Sequence, residues 1–173
     1  LVSQYECANI SSIEQEDMYY LPAMEKYEDS SYQESLALFE QYLERFSSGR
    51  YSNEVKIYLA NSHYALKNFD KAISIYKKSL EGENNIFTEL SAARVSHYLY
   101  NEGLYEEAIP YYEKLELVSS TPKVVSSAKI GLMRSCFLTN KWNKTIVHSE
   151  SVLKNTNLNK SIEIEANYAL GIA

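Results

Sequence analysis

An eight-residue phrase recurs four times along this sequence. It consists of an aromatic residue, two polar residues, a small residue, an aliphatic residue, two further residues and usually a second aromatic residue. The four copies span residues 32–39, 69–76, 105–112 and 142–149. Their starts lie 37, 36 and 37 residues apart. A nearly constant period of this length is typical of repeated supersecondary units that stack on one another.

The composition favours helices as the repeated element. Five glycines and three prolines leave little material for a fold rich in loops or strands, while sixteen tyrosines suit helices that pack through aromatic side chains. No apolar run approaches the ~18 residues that are needed to cross a bilayer. The sequence therefore predicts an all-helical chain without direct membrane insertion.

The charge of the chain is acidic overall and unevenly placed. The formal net charge is −6, made up of −7 over residues 1–52, −3 over residues 53–122 and +4 over residues 123–173. An acidic balance disfavours binding to phosphate backbones. We therefore expect a protein or peptide as the partner, and no nucleic acid.

Residues that carry catalysis or bind metals are too dispersed to form a recognisable motif. His63, His97 and His148 fall in different repeats, and Cys7 and Cys136 lack the spacing of metal ligands. The sequence also has no glycine-rich phosphate-binding loop. We interpret the histidines and cysteines as structural or solvated, and we expect no catalytic residue, no metal and no cofactor.

Aligning the four copies on their small residue, at repeat position 20, places the repeat starts at residues 16, 53, 89 and 126. The second repeat then has Leu59, Ala60, Ala72 and Tyr76 at positions 7, 8, 20 and 24, and the third has Val95, Ser96, Ala108 and Tyr112 there. This pattern resembles the tetratricopeptide repeat (TPR) over roughly residues 16–173. The resemblance implies an all-α fold, a right-handed superhelix of stacked antiparallel helix pairs. In such a repeat the first helix is called helix A and the second helix B. Small residues at positions 8 and 20 would let these two helices pack closely.

The repeat boundaries follow from this register. We predict one array with repeats over 16–52, 53–88, 89–125 and 126–163, the end of a preceding repeat over 1–15 and a truncated fifth repeat over 164–173. Ser31 and Glu34 predict a capping box at the first helix B, and Thr121 before Pro122 predicts the start of the fourth helix A.

Positions 2, 5, 9, 12 and 13 lie on the side of helix A that faces away from helix B. The TPR resemblance implies that these positions line a concave groove where a partner docks. Position 12 is aromatic in all four complete repeats, and position 9 carries polar residues in the last three. The predicted partner-binding residues are Tyr20, Tyr27, Asn61, Tyr64, His97, Tyr100, Arg134 and Phe137.

The aromatic column at position 12 also has a second interpretation. Aromatic side chains at this point of a helical repeat often pack between successive helices, and the chain is rich in tyrosine throughout. The sequence leaves groove and core open as alternatives.

The segment over residues 42–64 resembles a bacterial subset of TPR proteins, the periplasmic and outer-membrane-assembly lipoproteins. The runs that carry this resemblance are 43–46, 48–51, 59–61 and 63–64. It implies an interaction scaffold of the cell envelope, periplasmic or associated with the outer membrane, with a cytoplasmic location as the alternative. The alternative function is a sensor or regulatory repeat domain of a larger signalling or transcription-regulating protein.

The fifth helix A is expected to leave apolar residues uncovered. Ile162, Ile164, Leu170 and Ile172 lie in this segment, and exposed apolar patches favour association. The acidic and basic ends of two molecules would also attract each other. We therefore expect end-to-end self-association of this fragment.

Overall fold

The structure is a computed structural model and describes residues 12–155 and 158–173. These residues form nine α-helices and no strand. The helices are α1 (Ser12–Glu28), α2 (Tyr32–Arg45), α3 (Ser52–Ala65), α4 (Phe69–Ser79), α5 (Thr88–Asn101), α6 (Tyr105–Val118), α7 (Pro122–Leu138), α8 (Trp142–Leu153) and α9 (Lys160–Ile172). None of these described helices is both long enough and apolar enough to cross a bilayer. The prediction of an all-helical repeat fold is confirmed.

Residue contacts group the chain into two compact units, 1–75 and 76–173. In the N-terminal unit, α1 packs on α2 and α2 on α3, while in the C-terminal unit each helix from α5 to α9 packs on the next. Alternate helices also touch, α1 with α3, α5 with α7 and α7 with α9. Such contacts are those of helix pairs stacked on their neighbours. One continuous array over the whole chain stays a prediction.

Two observed helices extend across the predicted repeat boundaries. Residues 12–15 belong to α1 rather than to a preceding repeat, because the sequence has no glycine or proline there to end a helix. Residues 160–163 open α9 rather than close the fourth repeat, since Asn159 caps this helix. Its side chain accepts a hydrogen bond from the Ser161 N–H at 2.8 Å. Residues 1–11 lie outside the described residues.

The capping box predicted at α2 does not form. The side chain of Ser31 makes no cap hydrogen bond, and its backbone carbonyl instead accepts the N–H groups of Glu34 and Ser35 at 3.0 Å. The Glu34 carboxylate pairs with Lys26 of α1 at 2.8 Å, so it does not reach back to Ser31. The other predicted start is confirmed in position, because Thr121 precedes α7 with Pro122 in its first turn.

All four turns between helix A and helix B share one backbone conformation. The residue at repeat position 15 is left-handed each time, with φ of 60° at Ser30, 62° at Lys67, 76° at Gly103 and 56° at Asn140. Its N–H donates to the carbonyl of position 12 at 3.0–3.1 Å, and the next N–H donates to the carbonyl of position 11 at 2.8–2.9 Å. These two bonds form a Schellman motif, which satisfies carbonyls at the end of helix A. Three residues suffice for each turn.

We expect substitutions at position 15 to change stability in opposite directions. Gly103→Ala should destabilise the chain by about 1 kcal/mol, because a residue with a Cβ is strained in the left-handed region. Lys67→Gly should remove that strain and stabilise the chain by up to about 1 kcal/mol. A Cβ at Gly103 meets no atom within 4 Å, so only the backbone is tested.

Urea midpoints of the two variants and of the parent measure this effect. Gly82→Ala is the matched control, since a Cβ there is also unobstructed and its φ is not left-handed. If Gly103→Ala were no less stable than Gly82→Ala, the turn conformation would not limit stability.

The residues at positions 8 and 20 are buried in all four repeats, and all of them except Met133 are small. The side chains at position 20, namely Ser35, Ala72, Ala108 and Thr145, are all 0% exposed. The side chains at position 8, namely Ala23, Ala60, Ser96 and Met133, are at most 1% exposed. This burial fits the predicted packing of helix A on helix B, and α1 packs on α2, α5 on α6 and α7 on α8.

Enlarging one of these contacts should overpack it. Ala108→Leu is expected to destabilise the C-terminal unit by ~1–3 kcal/mol, because the surrounding helices must move to admit the larger side chain. Ala37→Leu is the matched control, since Ala37 lies exposed on α2. Equal urea midpoints for the two variants would refute the assigned register.

A hydrogen-bonded network holds the loop between α2 and α3 against α1. The Tyr42 hydroxyl donates to Glu16 Oε2 at 2.6 Å, the Arg50 N–H donates to the same oxygen at 2.7 Å, and the Tyr51 N–H donates to the Tyr42 hydroxyl at 3.0 Å. A Cβ at Gly49 would stand 2.6 Å from that Glu16 oxygen and 2.7 Å from the Tyr42 hydroxyl. The network therefore requires glycine at this point of the loop.

Two of the four apolar residues predicted to be uncovered on α9 are mostly exposed. Ile164 is 61% and Ile172 is 55% exposed. Ile162 packs against the cluster of Met133 and Val152, and Leu170 is half-buried. Self-association through this face stays a prediction.

Candidate functional site

The aromatic residue at position 12 packs against the first residue of the following helix B in every complete repeat. The four edge-to-face pairs are Tyr27 with Tyr32, Tyr64 with Phe69, Tyr100 with Tyr105 and Phe137 with Trp142. Their ring centroids are 5.1–5.9 Å apart. All four position-12 rings are half-buried. The column therefore packs across each turn and still presents part of each ring to solvent.

In the N-terminal unit the predicted residues have unequal access to solvent. Tyr20 is only 9% exposed and stacks on Tyr51 with a centroid distance of 3.9 Å. The prediction that Tyr20 contacts a partner is therefore corrected, because its ring is used in the core. The Asn61 side-chain amide donates to the Tyr27 hydroxyl at 3.1 Å. This hydrogen bond brings two predicted residues together on α1 and α3.

In the C-terminal unit three predicted residues line one groove of about 690 Å³. His97 and Tyr100 come from α5, and Arg134 comes from α7. Both residues at position 9 and the tyrosine at position 12 thus converge, as the spacing of helix A predicts. The rest of the lining consists of Asn101, Tyr112, Pro122, Lys123, Ser126, Ser127, Ile130, Gly131, Asn155 and Ile162.

A bidentate ion pair fixes the guanidinium of Arg134. Its Nε donates to Glu165 Oε1 at 2.6 Å and its Nη2 donates to Oε2 at 2.7 Å. The pair joins α7 to α9, and both side chains are about one-third exposed. Such fork-to-fork geometry orients a guanidinium more strictly than a single contact does. Arg134 is therefore held in place at the edge of the groove.

A smaller pocket of about 280 Å³ adjoins the groove and is lined by both members of this ion pair. It shares Tyr100 and Arg134 with the groove and contains Phe137, the fourth predicted residue of this unit. The Phe137 and Tyr168 rings are 6.0 Å apart, and Tyr168 is 62% exposed. Met133, Leu138, Glu165 and Ala169 complete the lining.

The groove keeps its aromatic hydroxyls protonated and its histidine mostly neutral. Burial raises the pKa of Tyr100 and Tyr112, so both phenols can donate hydrogen bonds at neutral pH. His97 is solvent-accessible but sits in a concave surface, where partial desolvation and then the charge of Arg94 lower its pKa. The positive charges that line the groove at neutral pH are therefore Arg134 and Lys123.

Three residues that shape the site were not among the predicted ones. Tyr112, at position 24, is only 3% exposed and nevertheless contributes to the lining of the groove. Glu165 occupies groove position 2 on the next helix A. Its negative charge, opposite to that of Arg134, is the feature of the sequence from which an ion pair between them could have been predicted. Lys123 precedes the fourth repeat in the register, so the period gave no sign of it.

Gly131 allows Tyr112 to lie against α7. A Cβ at this position would stand 2.4 Å from two atoms of the Tyr112 ring. Real Cβ atoms do not approach so closely, so any other residue would push the ring aside. The groove therefore depends on a glycine within α7.

We expect Gly131→Ala to destabilise the chain by about 1–3 kcal/mol through this clash, despite the better helix propensity of alanine. Gly171→Ala is the matched control, because a Cβ there meets nothing within 4 Å on α9. Urea denaturation of both variants measures the difference. Equal stability of the two would show that Tyr112 can move at no cost.

Residues of the types that bind metal ions do not cluster in the part of the chain that the structure describes. No group of three or more His, Cys, Asp or Glu residues there is placed to hold a metal ion. Cys136 is buried in α7, and His63 is buried in α3. Cys7 lies outside the described residues.

No family model and no curated protein matches the sequence. Solved structures do resemble the fold. MamA from RS-1, an ArsTM double mutant, aligns at 12% identity with a TM-score of 0.66, covering 92% of this chain and 84% of MamA. MamA from MSR-1 aligns at 13% identity with a TM-score of 0.63, covering 91% and 86%.

A third structure is described as a putative kinesin light chain of Podospora anserina with nearly identical TPR-like repeats. It aligns at 13% identity with a TM-score of 0.56, covering 91% of this chain and 84% of that one. The chain has a TPR-like fold. Identities this low establish the TPR fold alone and carry no information about partners.

Proposed function

We propose that this TPR-like chain is a non-catalytic interaction scaffold that binds a peptide segment of a protein partner in the groove of its C-terminal unit. The observation that carries the proposal is the convergence of His97, Tyr100 and Arg134 on one concave surface. Concave sites with a few well-placed polar groups are the usual places where ligands bind. Phe137, in the adjoining pocket, extends the proposed contact.

The chemistry of the groove suits peptide recognition. Tyr100 offers a rigid, half-buried ring and a protonated hydroxyl, and such side chains are enriched among residues that dominate binding energy. Arg134 is oriented before a partner arrives, which lowers the entropy lost on binding. In the N-terminal unit, we propose Tyr27, Asn61 and Tyr64 as further partner contacts, because they occupy the same repeat positions, 9 and 12.

A random dodecapeptide display library, selected on the immobilised chain, tests this function. Selected peptides should lose roughly 5–30-fold in affinity with Tyr100→Ala, which corresponds to about 1–2 kcal/mol. His97→Ala should also weaken them, and this exposed side chain contributes little to folding. Thermal melts of the variants separate a lost contact from a lost fold.

Tyr111→Ala is the matched control, since Tyr111 is a half-buried tyrosine of the same unit that does not line the groove. Selected peptides should bind this variant as tightly as the parent. Peptides that lose affinity with Tyr111→Ala but not with Tyr100→Ala or His97→Ala would place the binding surface elsewhere.

The envelope location and the alternative role in a larger signalling protein stay predictions from the sequence. Neither the groove nor the ion pair favours one of them over the other. The proposed mode of binding is the same for both.

A further inference from the structure

We infer that the partner segment carries a large apolar side chain with acidic residues close to it in sequence. This inference deepens the proposed function and rests on it. The apolar side chain occupies the smaller pocket beside Phe137, and the acidic residues lie in the groove beside Arg134. Both assignments follow from the chemistry of the residues that line the pocket and the groove.

The smaller pocket has the size and the surface for one apolar side chain. Its volume is about 280 Å³, and Met133, Phe137 and Leu138 form its apolar part together with Tyr168 and Ala169. A cavity of about 150 Å³ with such a lining already binds benzene. A phenyl or branched aliphatic side chain therefore fits. Leu138 and Tyr168 are 47% and 62% exposed, so a partner would cover apolar surface that is now in water.

The neighbouring groove has the opposite character. His97, Lys123 and Arg134 line it, and no carboxylate is among its lining residues in the described part of the chain. Residues 123–173 carry a net charge of +4. The surface is therefore complementary to carboxylates, which gain charge-assisted hydrogen bonds there.

The pair with Glu165 leaves Arg134 able to bind a second carboxylate. A guanidinium has five N–H donors, and the pair engages Nε and Nη2. Glu165 also limits where an acidic side chain can go, because it lines the smaller pocket and would repel a carboxylate placed there. The apolar group of the partner is thereby assigned to the smaller pocket and its acidic groups to the groove.

The two sites must be filled by neighbouring residues of the partner. Tyr100 and Arg134 line both, so the pocket and the groove meet at these side chains. An extended peptide advances about 3.3 Å per residue. A partner with its apolar and acidic residues within a few positions of each other fits this arrangement.

The pH dependence of binding at His97 is a second test for acidic residues in the partner. It faces Tyr112, with a centroid distance of 5.7 Å, and the charged groups around it are Arg94, Lys123 and Arg134, with Glu165 beyond the guanidinium. Partial desolvation and then the charge of Arg94 lower the pKa of His97 in the unbound protein, which favours the neutral form. An acidic peptide favours its protonated form. Binding then takes up a proton, and affinity increases as the pH falls.

Four pools of synthetic octapeptides test the inference by fluorescence anisotropy. The central residue is Phe or Leu in two of the pools and Ala in the other two. In each of these pairs, the residues on both sides of the centre are rich in Glu and Asp in one pool and rich in Lys and Arg in the other. The apolar acidic pool should bind about tenfold more tightly than each of the other three. Its affinity should rise from about pH 7.5 to about pH 5.5 in the parent and not in His97→Gln, since Glu stays ionised over that range.

Substitutions at two exposed residues test the smaller pocket and the groove separately. Tyr168→Ala should abolish the preference for Phe and Leu and keep the preference for acidic residues. Lys123→Gln should weaken the preference for acidic residues and keep the preference for Phe and Leu. Leu117→Ala, which is 78% exposed and away from both sites, should change neither.

Several outcomes would overturn the inference. Equal binding of all four pools, a preference for the basic pools, or loss of both preferences with either substitution would each do so. A dimer in sedimentation that Tyr168→Ala dissolves would assign the pocket to a second copy of the chain. Failure of the proposed function is distinguishable, because then neither the four pools nor the display library would yield a peptide sensitive to Tyr100→Ala.

Discussion

The three-residue turn between helix A and helix B is the constraint on which the remaining structure depends. A left-handed residue at position 15 and two backbone hydrogen bonds define it in all four repeats. Because the turn is so short and always the same, it determines which residues of the two helices meet. Positions 8 and 20 are buried at the helix contact, and the ring at position 12 packs on the first ring of helix B. Only one of the four turns has glycine there, so the chain tolerates backbone strain at Ser30, Lys67 and Asn140 to keep this geometry.

Much of the fold could be predicted from the sequence because it is periodic. Ala72 and Ala108 mark the helix contact by their size alone, and a small residue that recurs every 36–37 positions is typical of one helix contact repeated along an array. Helix ends were harder, since they depend on single side chains. Asn159 caps α9, whereas the Ser31 side chain makes no cap hydrogen bond at α2 and the Glu34 carboxylate pairs with Lys26 rather than with the Ser31 N–H. Sequence alone cannot rank two local partners that compete for one carboxylate.

The candidate site was predictable in its register and not in its chemistry. The period placed His97, Tyr100 and Arg134 at outward-facing positions of helix A, and these three side chains line one groove. It also predicted a partner contact for Tyr20 of the N-terminal unit, although stacking on Tyr51 buries this ring. The structure does not reduce the position-12 rings to groove or core, because each ring packs on the first ring of helix B and still keeps some exposure to solvent. Periodicity gives the direction of a side chain, and only the neighbouring rings determine how much of it is covered.

The ion pair of Arg134 with Glu165 contributes little to stability, and under the proposed function it orients Arg134 for a partner. Its side chains are about one-third exposed, and pairs so accessible to water stabilise a fold by about 0–1 kcal/mol. The contacts between α7, α8 and α9 and the burial of Met133 and Ala166 already hold this part of the chain together. What the pair adds is orientation, since both carboxylate oxygens hold one edge of the guanidinium and its remaining donors keep a defined direction. A side chain that is already aligned is well suited to meet a partner, because less of the binding free energy is lost in ordering it.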